Sequence, residues 1–322
     1  MKKSSRFAII TGLVLILVAL AWSGFSWQRI QDDTQRISQK DYKEKQTTFT
    51  AGATERIHVN VDNVRIVVKT HSDSSTIRVA YFTSENDAFA VTNSDKTVSV
   101  TRTKEADPHF MCFFRCIGTP GTITVYVPAG SKYAYDLTAE NAPVTFDNTK
   151  TLSVQSMRIE SSNSSIEMRR LLASGDVELQ SDNGSIKLLD VEITGKLHLT
   201  SSNASNELTR VTAASINSQT DNGSASLDSV TTKDLTVGIS NASIKLHRLD
   251  AQHSTLNSDN GSVEGSLIGS KDDYSIKIGS DNGSIKLDGA EYNGSYFSDG
   301  NKNGKSISAQ SSNASVTLTF VK

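Results

Sequence analysis

Cysteine is nearly absent from this 322-residue chain: there are two, Cys112 and Cys116. One pair cannot build a disulfide-dense scaffold, and it supplies half of a tetrahedral thiolate metal site at most. The histidines (His58, His71, His109, His198, His247 and His253) are scattered and do not complete one. Proline is equally scarce, with four residues, and aromatics make up 7 %. Those values exclude a collagen-like or proline-rich stalk. An excess of either charge is missing too. Lys and Arg number 33 against 35 Asp and Glu, a formal charge of −2, so there is no basic footprint and no nucleic-acid partner is expected. No nucleophile elbow, phosphate loop or zinc signature is present. "SDN" occurs at Ser181, Ser258 and Ser280, but the K-T-G that accompanies it in penicillin-binding active sites does not. No cofactor is expected.

What is present begins with an uncharged run at residues 7–27, preceded by Lys2, Lys3 and Arg6. It is long enough to cross a hydrocarbon core of roughly 30 Å as a helix. Basic residues before it set the N-terminus inside. Trp22 and Trp27 lie near the outer end. Two outcomes stay open: a retained single-pass anchor, or a signal peptide cleaved after the small-x-small sequence Ala19-Leu20-Ala21. Both place the rest of the chain outside the cytoplasm. In an exported chain, Cys112 and Cys116 are candidates for a short disulfide loop.

Ser, Thr, Asn and Asp are abundant and interleave with Val, Ile and Leu at period two, the pattern of half-buried strands rather than of disorder. "SDNGSIKL" occurs at 181–188 and again at 280–287. Aligned on its asparagine, the chain shows eight copies, at Asn163, Asn183, Asn203, Asn222, Asn241, Asn260, Asn282 and Asn313, with gaps of 20, 20, 19, 19, 19, 22 and 31; Asn141 extends the series backwards. A period near 20 marks a solenoid whose coils stack on their neighbours. Three and five positions after each Asn stand residues such as Ile186 and Leu188 or Ile244 and Leu246, the inward side of a strand. Each coil reads as strand, turn, strand, turn. The asparagines read as turn residues suited to the left-handed conformation, stacked in a structural ladder. The serines two positions on, Ser165 to Ser315, are a second ladder candidate.

Asp182, Asp221 and Asp259 precede Asn in alternate copies, with Ser162, Ser202 and Ser240 between; Asp281 breaks the rhythm. One carboxylate on alternate coils is too sparse for a calcium cage of six to eight oxygens. The repeat accounts for eight of the nine Asn-x-Ser triplets, so glycosylation is not required to explain them. No carboxylate cluster of a polysaccharide lyase or hydrolase recurs.

The fold class expected is all-β: a parallel β-solenoid with coils of about twenty residues. The chain divides into a cytoplasmic N-terminus (1–6), the anchor or signal peptide (7–27), a polar spacer (28–48), a β-rich N-terminal cap region (49–135) and the Asn/Gly-cornered solenoid (136–322). Within 282–313, "EYNGSYFSDGNKNGKS" reads as an insertion covering the last coils. The end "TLTFVK" carries no wall-sorting tail, which leaves anchorage to the N-terminus.

An N-terminal span, a β-rich lead-in, the step Val127-Pro128-x-Gly130 within "TITVYVPAGSKYAYDLTAENAPVTF", and Asn/Gly-cornered repeats together resemble the bacterial "putative adhesin" domain family, which includes LiaG-like proteins linked to cell-envelope stress. The resemblance covers roughly residues 50–322. It implies an exported, non-enzymatic surface β-solenoid with no catalytic residues to carry over. Its partner would be a cell-envelope component, a membrane signalling protein or a surface glycan. Rival expectations are a polysaccharide-acting β-helix enzyme and a passive spacer.

Overall fold

A computed structural model describes residues 42–85, 87–104, 121–300 and 302–322. The 7–27 span and the Cys112–Cys116 pair lie outside the described residues. Within them, no helix is long and apolar enough to cross a membrane. Among the described residues, twenty-three strands, β1–β23 in chain order, make up almost all the regular structure.

The coil after Asn183 shows why the sequence folds this way. Ile186, Leu188, Val191, Ile193, Leu197 and Leu199 point inward and are 2 % exposed or less. Inward and outward positions alternate except at 189–190 and 194–196, where successive residues face out. A strand can only do that by turning. Each coil therefore has three strand segments, not the two expected, separated by the Asn corner and two others. Adjacent coils pair in parallel and in register, as in Ile186↔Asn206, Val191↔Val211 and Leu197↔Ile216. Like side chains stack in columns along one continuous core, burying a face that no single coil could bury alone. Asn206 occupies a column position and is fully buried; its Nδ2 donates to Ser218 Oγ at 3.0 Å.

The order of coils departs from the order in sequence at both ends. β22 (Lys305–Ser311) lies between β16 (Ile244–Ser258) and β18 (Tyr274–Ser280), parallel to both. β23 (Val316–Val321) likewise lies between β17 (Val263–Ile268) and β19 (Ile285–Leu287). The Asn313 coil is thus inserted between those of Asn260 and Asn282. Residues 288–300 cover the stack end with one coil run backwards: β20 (Ala290–Tyr292) is antiparallel to β19, and β21 (Ser295–Ser298) to β18. The insertion read within 282–313 is this cap, while the coil after it goes inside the stack.

The other end repeats the arrangement. β2 (Arg56–Val61) sits between β6 (Thr97–Lys104) and β8 (Tyr133–Ala139). β3 (Arg65–His71) sits between β7 (Thr122–Pro128) and β9 (Val144–Ser161). The region 49–135, read as a cap without the coil period, therefore supplies two parallel coils of its own. Antiparallel strands β1 (Lys43–Thr50), β4 (Thr76–Thr83) and β5 (Ala88–Ser94) finish that end. Antiparallel strands at each end cover edges of the parallel stack that would otherwise recruit other chains. Among the described residues, the side that precedes the Asn corner has eleven parallel strands, a length of about 50 Å at ~4.8 Å per step.

Candidate functional site

The predicted asparagines come together in one exposed line. Each Nδ2 donates to the Oδ1 of the preceding coil: Asn163 to Asn141 at 2.6 Å, Asn183 to Asn163 at 2.7 Å, Asn203 to Asn183, Asn222 to Asn203, Asn241 to Asn222 and Asn260 to Asn241 at 2.8 Å. The line continues through Asn313 to Asn260 at 2.7 Å and Asn282 to Asn313 at 2.9 Å. Nine amides thus point one way along the rod.

Spatial order also resolves the irregular aspartates. Ser312 lies between Asp259 and Asp281, because Ser312 N–H donates to Ser258 and Asp281 N–H to Ser311. Along the stack the residues before Asn run Ser162, Asp182, Ser202, Asp221, Ser240, Asp259, Ser312, Asp281, an unbroken alternation. The residue after Asn alternates with it, and the glycines have a steric reason. A Cβ on Gly184, Gly223 or Gly261 would overlap the carbonyl of Ser164, Ala204 or Ala242 on the coil below. These glycines permit close approach, and neither they nor the ladder asparagines have positive φ. The left-handed residues sit at the next corner, at Arg170, Asp190, Arg210, Ser229 and Arg248, with φ of 52–57°. The serines two after Asn do not form a continuous ladder; they bond in pairs, Ser205 with Ser224, Ser243 with Ser262 and Ser284 with Ser315, at 3.0–3.1 Å.

Several charges on the other faces are paired from coil to coil: Arg158 with Glu178, Lys187 with Glu207, Arg210 with Asp190, His247 with Asp228 and Lys305 with Asp250. The Arg210 hydrogen bond holds Asp190 below the usual carboxylate range, and the His247 bond, then Ser229, does the same for Asp228. Asp182, Asp221, Asp259 and Asp281 are exposed on the edge, with no side-chain partner among the described residues.

Beside the edge lies a notch of about 280 Å³. Thr200, Gln219, Gly238 and Asn257 follow one another in register on successive coils, and Gly238 leaves a gap in that row. Ile239, 5 % exposed, lines the notch together with Ser240, Asp221 and Asp259. Gln219 Nε2 donates to Asn217 Oδ1 at 2.9 Å, which leaves Gln219 Oε1 over Gly238. Sequence reading missed this notch. Its signal was a glycine inside a strand with no turn to explain it. Among the described residues, no three His, Cys, Asp or Glu side chains form a metal-holding group.

The family model for Toastrack DUF4097 matches residues 54–321. The chain belongs to the Toastrack DUF4097 family. Solved structures similar to it include the "putative adhesin" of Parabacteroides merdae, 12 % identical, TM-score 0.48, covering 87 % of this chain and 97 % of that one. A "putative lipid binding protein" of Parabacteroides distasonis is 11 % identical with the same TM-score and coverage. A "putative adhesin" of the latter organism is 12 % identical at TM-score 0.46, covering 87 % and 97 %. No curated protein matches the chain.

Proposed function

We propose that this Toastrack protein is a non-enzymatic surface protein, tethered to the cell membrane outside the cytoplasm by residues 7–27, that binds a hydroxyl-rich polymer of the envelope or of another surface along its asparagine edge. The observation that carries this reading is the ladder. An amide has two donors and two acceptor lone pairs. At Asn163, Asn203, Asn222, Asn241, Asn260 and Asn313 the ladder uses one of each. The remainder faces solvent at a repeat of about 4.8 Å. Because neighbouring amides already hold each side chain, ligand binding loses little rotamer freedom. A polymer engages many weak contacts at once, and avidity multiplies them. An accessory role in sensing envelope damage would use the same contacts.

The full chain, immobilised, is exposed to solubilised envelope polysaccharide and to host-type glycans. Retention of a polysaccharide that falls at least tenfold in the double variant Asn222→Ala with Asn241→Ala is the expected result. No retention of any polysaccharide, or equal retention by the variant, overturns the proposal.

A further inference from the structure

We infer that the Gly238 notch is a sugar subsite of that edge, taking a neutral or amino-bearing ring with free hydroxyls and rejecting phosphate- or carboxylate-bearing polymers. This rests on the polymer-binding reading above and adds where a ring sits and which chemistry it has.

Two observations carry it. The first is the glycine itself. Glycine in a strand interior costs stability and usually marks a bulge, a bend or a close backbone approach. Gly223 and Gly261 have such an approach, and Gly265 has a φ of 145°. Gly238 has neither: its φ is not positive, and an added Cβ would meet only the movable end of the Gln219 side chain. Nothing in the backbone requires glycine there. What glycine supplies is room between Gln219 and Asn257, into which the Gln219 carboxamide leans with its Oε1 2.3 Å from where a Cβ would stand. Gly279, three steps along the same row, also has an ordinary φ, and its Cβ would lie 3.9 Å from the Gln310 side chain.

The second is the balance of donors and acceptors around the gap. Asp221 and Asp259 offer only acceptor oxygens when ionised, and neither is paired among the described residues. Gln219 gives one amide hydrogen to Asn217 and holds its Oε1 over Gly238, so it presents an acceptor to the notch and keeps one further donor. Thr200, Ser240 and Asn257 can accept as well as donate. A rim rich in acceptors needs a ligand rich in donors, and hydroxyl or ammonium groups meet that need. Phosphate and carboxylate have only acceptors, and they would face two like charges. Ile239 provides a small apolar contact for the carbon face of a ring.

Three immobilised polymers separate the outcomes: a neutral glucan, a glucosamine polymer and a polyuronate. The full chain should bind the first two and not the third. Gly238→Thr restores the side chain that Thr200 carries two coils away, and threonine is a good strand former. The variant should melt no lower than the parent yet bind at least tenfold more weakly. The double variant Asp221→Asn with Asp259→Asn keeps the shape; it should lose most of its preference for the glucosamine polymer and begin to retain the polyuronate. Unchanged binding by Gly238→Thr, or polyuronate retention by the parent, overturns the subsite while leaving edge binding intact. Failure of the parent to bind any polymer overturns both.

Discussion

Two glycines on neighbouring coils, each changed to alanine, should move stability in opposite directions. At Gly223 the added methyl falls on the carbonyl carbon and oxygen of Ala204, with the Ser205 nitrogen beside them. All three are backbone atoms of the coil below and cannot rotate away. The coils must separate or shear locally, the overpacking situation that costs about 1–3 kcal/mol. Alanine recovers about 0.4–1 kcal/mol by restricting the unfolded chain. The net is a loss of about 1–2 kcal/mol, or about 2–8 °C in melting temperature for a domain of this size class. At Gly238 the same methyl meets only the end of the Gln219 side chain, and no positive φ has to be kept. Only the unfolded-state gain remains, so stability rises by about 0.4–1 kcal/mol. Calorimetry of the parent and both variants in one buffer reads the two signs directly. If Gly223→Ala melts at or above the parent, the corners are not in the close contact described and the steric account of the Gly/Ala alternation fails. If Gly238→Ala melts well below it, the notch glycine has a backbone role and the argument for the gap is wrong.

Leu208→Asp should cost more than about 4 kcal/mol, since it leaves an unpaired charge in a column 1 % exposed; Lys187→Ala, whose partner Glu207 is 3.3 Å away with both side chains about half exposed, should stay within about 0.5 kcal/mol, and urea titration distinguishes the two. Asn222→Ala removes two ladder bonds of 2.8 Å and should cost about 1 kcal/mol, read by the same titration. Deleting residues 305–322 should expose amides of 274–287 to rapid hydrogen exchange while 186–220 stays protected, because β22 and β23 are what join the Asn282 coil to the stack. Asp190, Asp228 and Asp273 have depressed folded-state values, from Arg210, from His247 and from the Ser270 hydrogen bonds. Their contribution is complete above the unfolded carboxylate value near 4 and is lost as pH falls below it. The melting temperature should be level from about pH 5 to 7 and fall below about pH 4.

The solenoid was legible because stacking forces one residue type into one position, and Asn163 to Asn313 declare it. The left-handed corner was not. Arg170, Asp190, Arg210, Ser229 and Arg248 share a backbone conformation, but the arginine on alternate coils is not a residue type that marks a left-handed turn, so the column of letters does not report it. That hidden corner is also why each coil read as two segments instead of three. The inserted coil left a trace that went unread: two Asp-type corners, Asp259 and Asp281, follow each other in sequence because their Ser-type neighbour, Ser312, arrives later. The N-terminal coils left one too. Asn63, with Ile66 three positions on and Val68 five on, obeys the coil rule, and Ile66 pairs with Val144, three positions after Asn141. The notch depends on which row Gly238 joins, and row membership exists only once the register is known.

The inserted coils also set a timetable. A simple solenoid can close turn by turn as a chain leaves a ribosome or a translocation pore. Here β2 and β3 emerge early but cannot be sandwiched until β6 and β7, and then β8 and β9, follow some thirty or more residues later. Residues 274–298 wait for 305–321 in the same way. Early coils can assemble in the middle while both ends stay open, and late non-local pairing is slow and exposes unpaired edges. Rigidity at the far end therefore comes only after the 305–321 segment is in place, which keeps that end of the chain loose until synthesis is complete and makes a product interrupted before it an easy substrate for proteases.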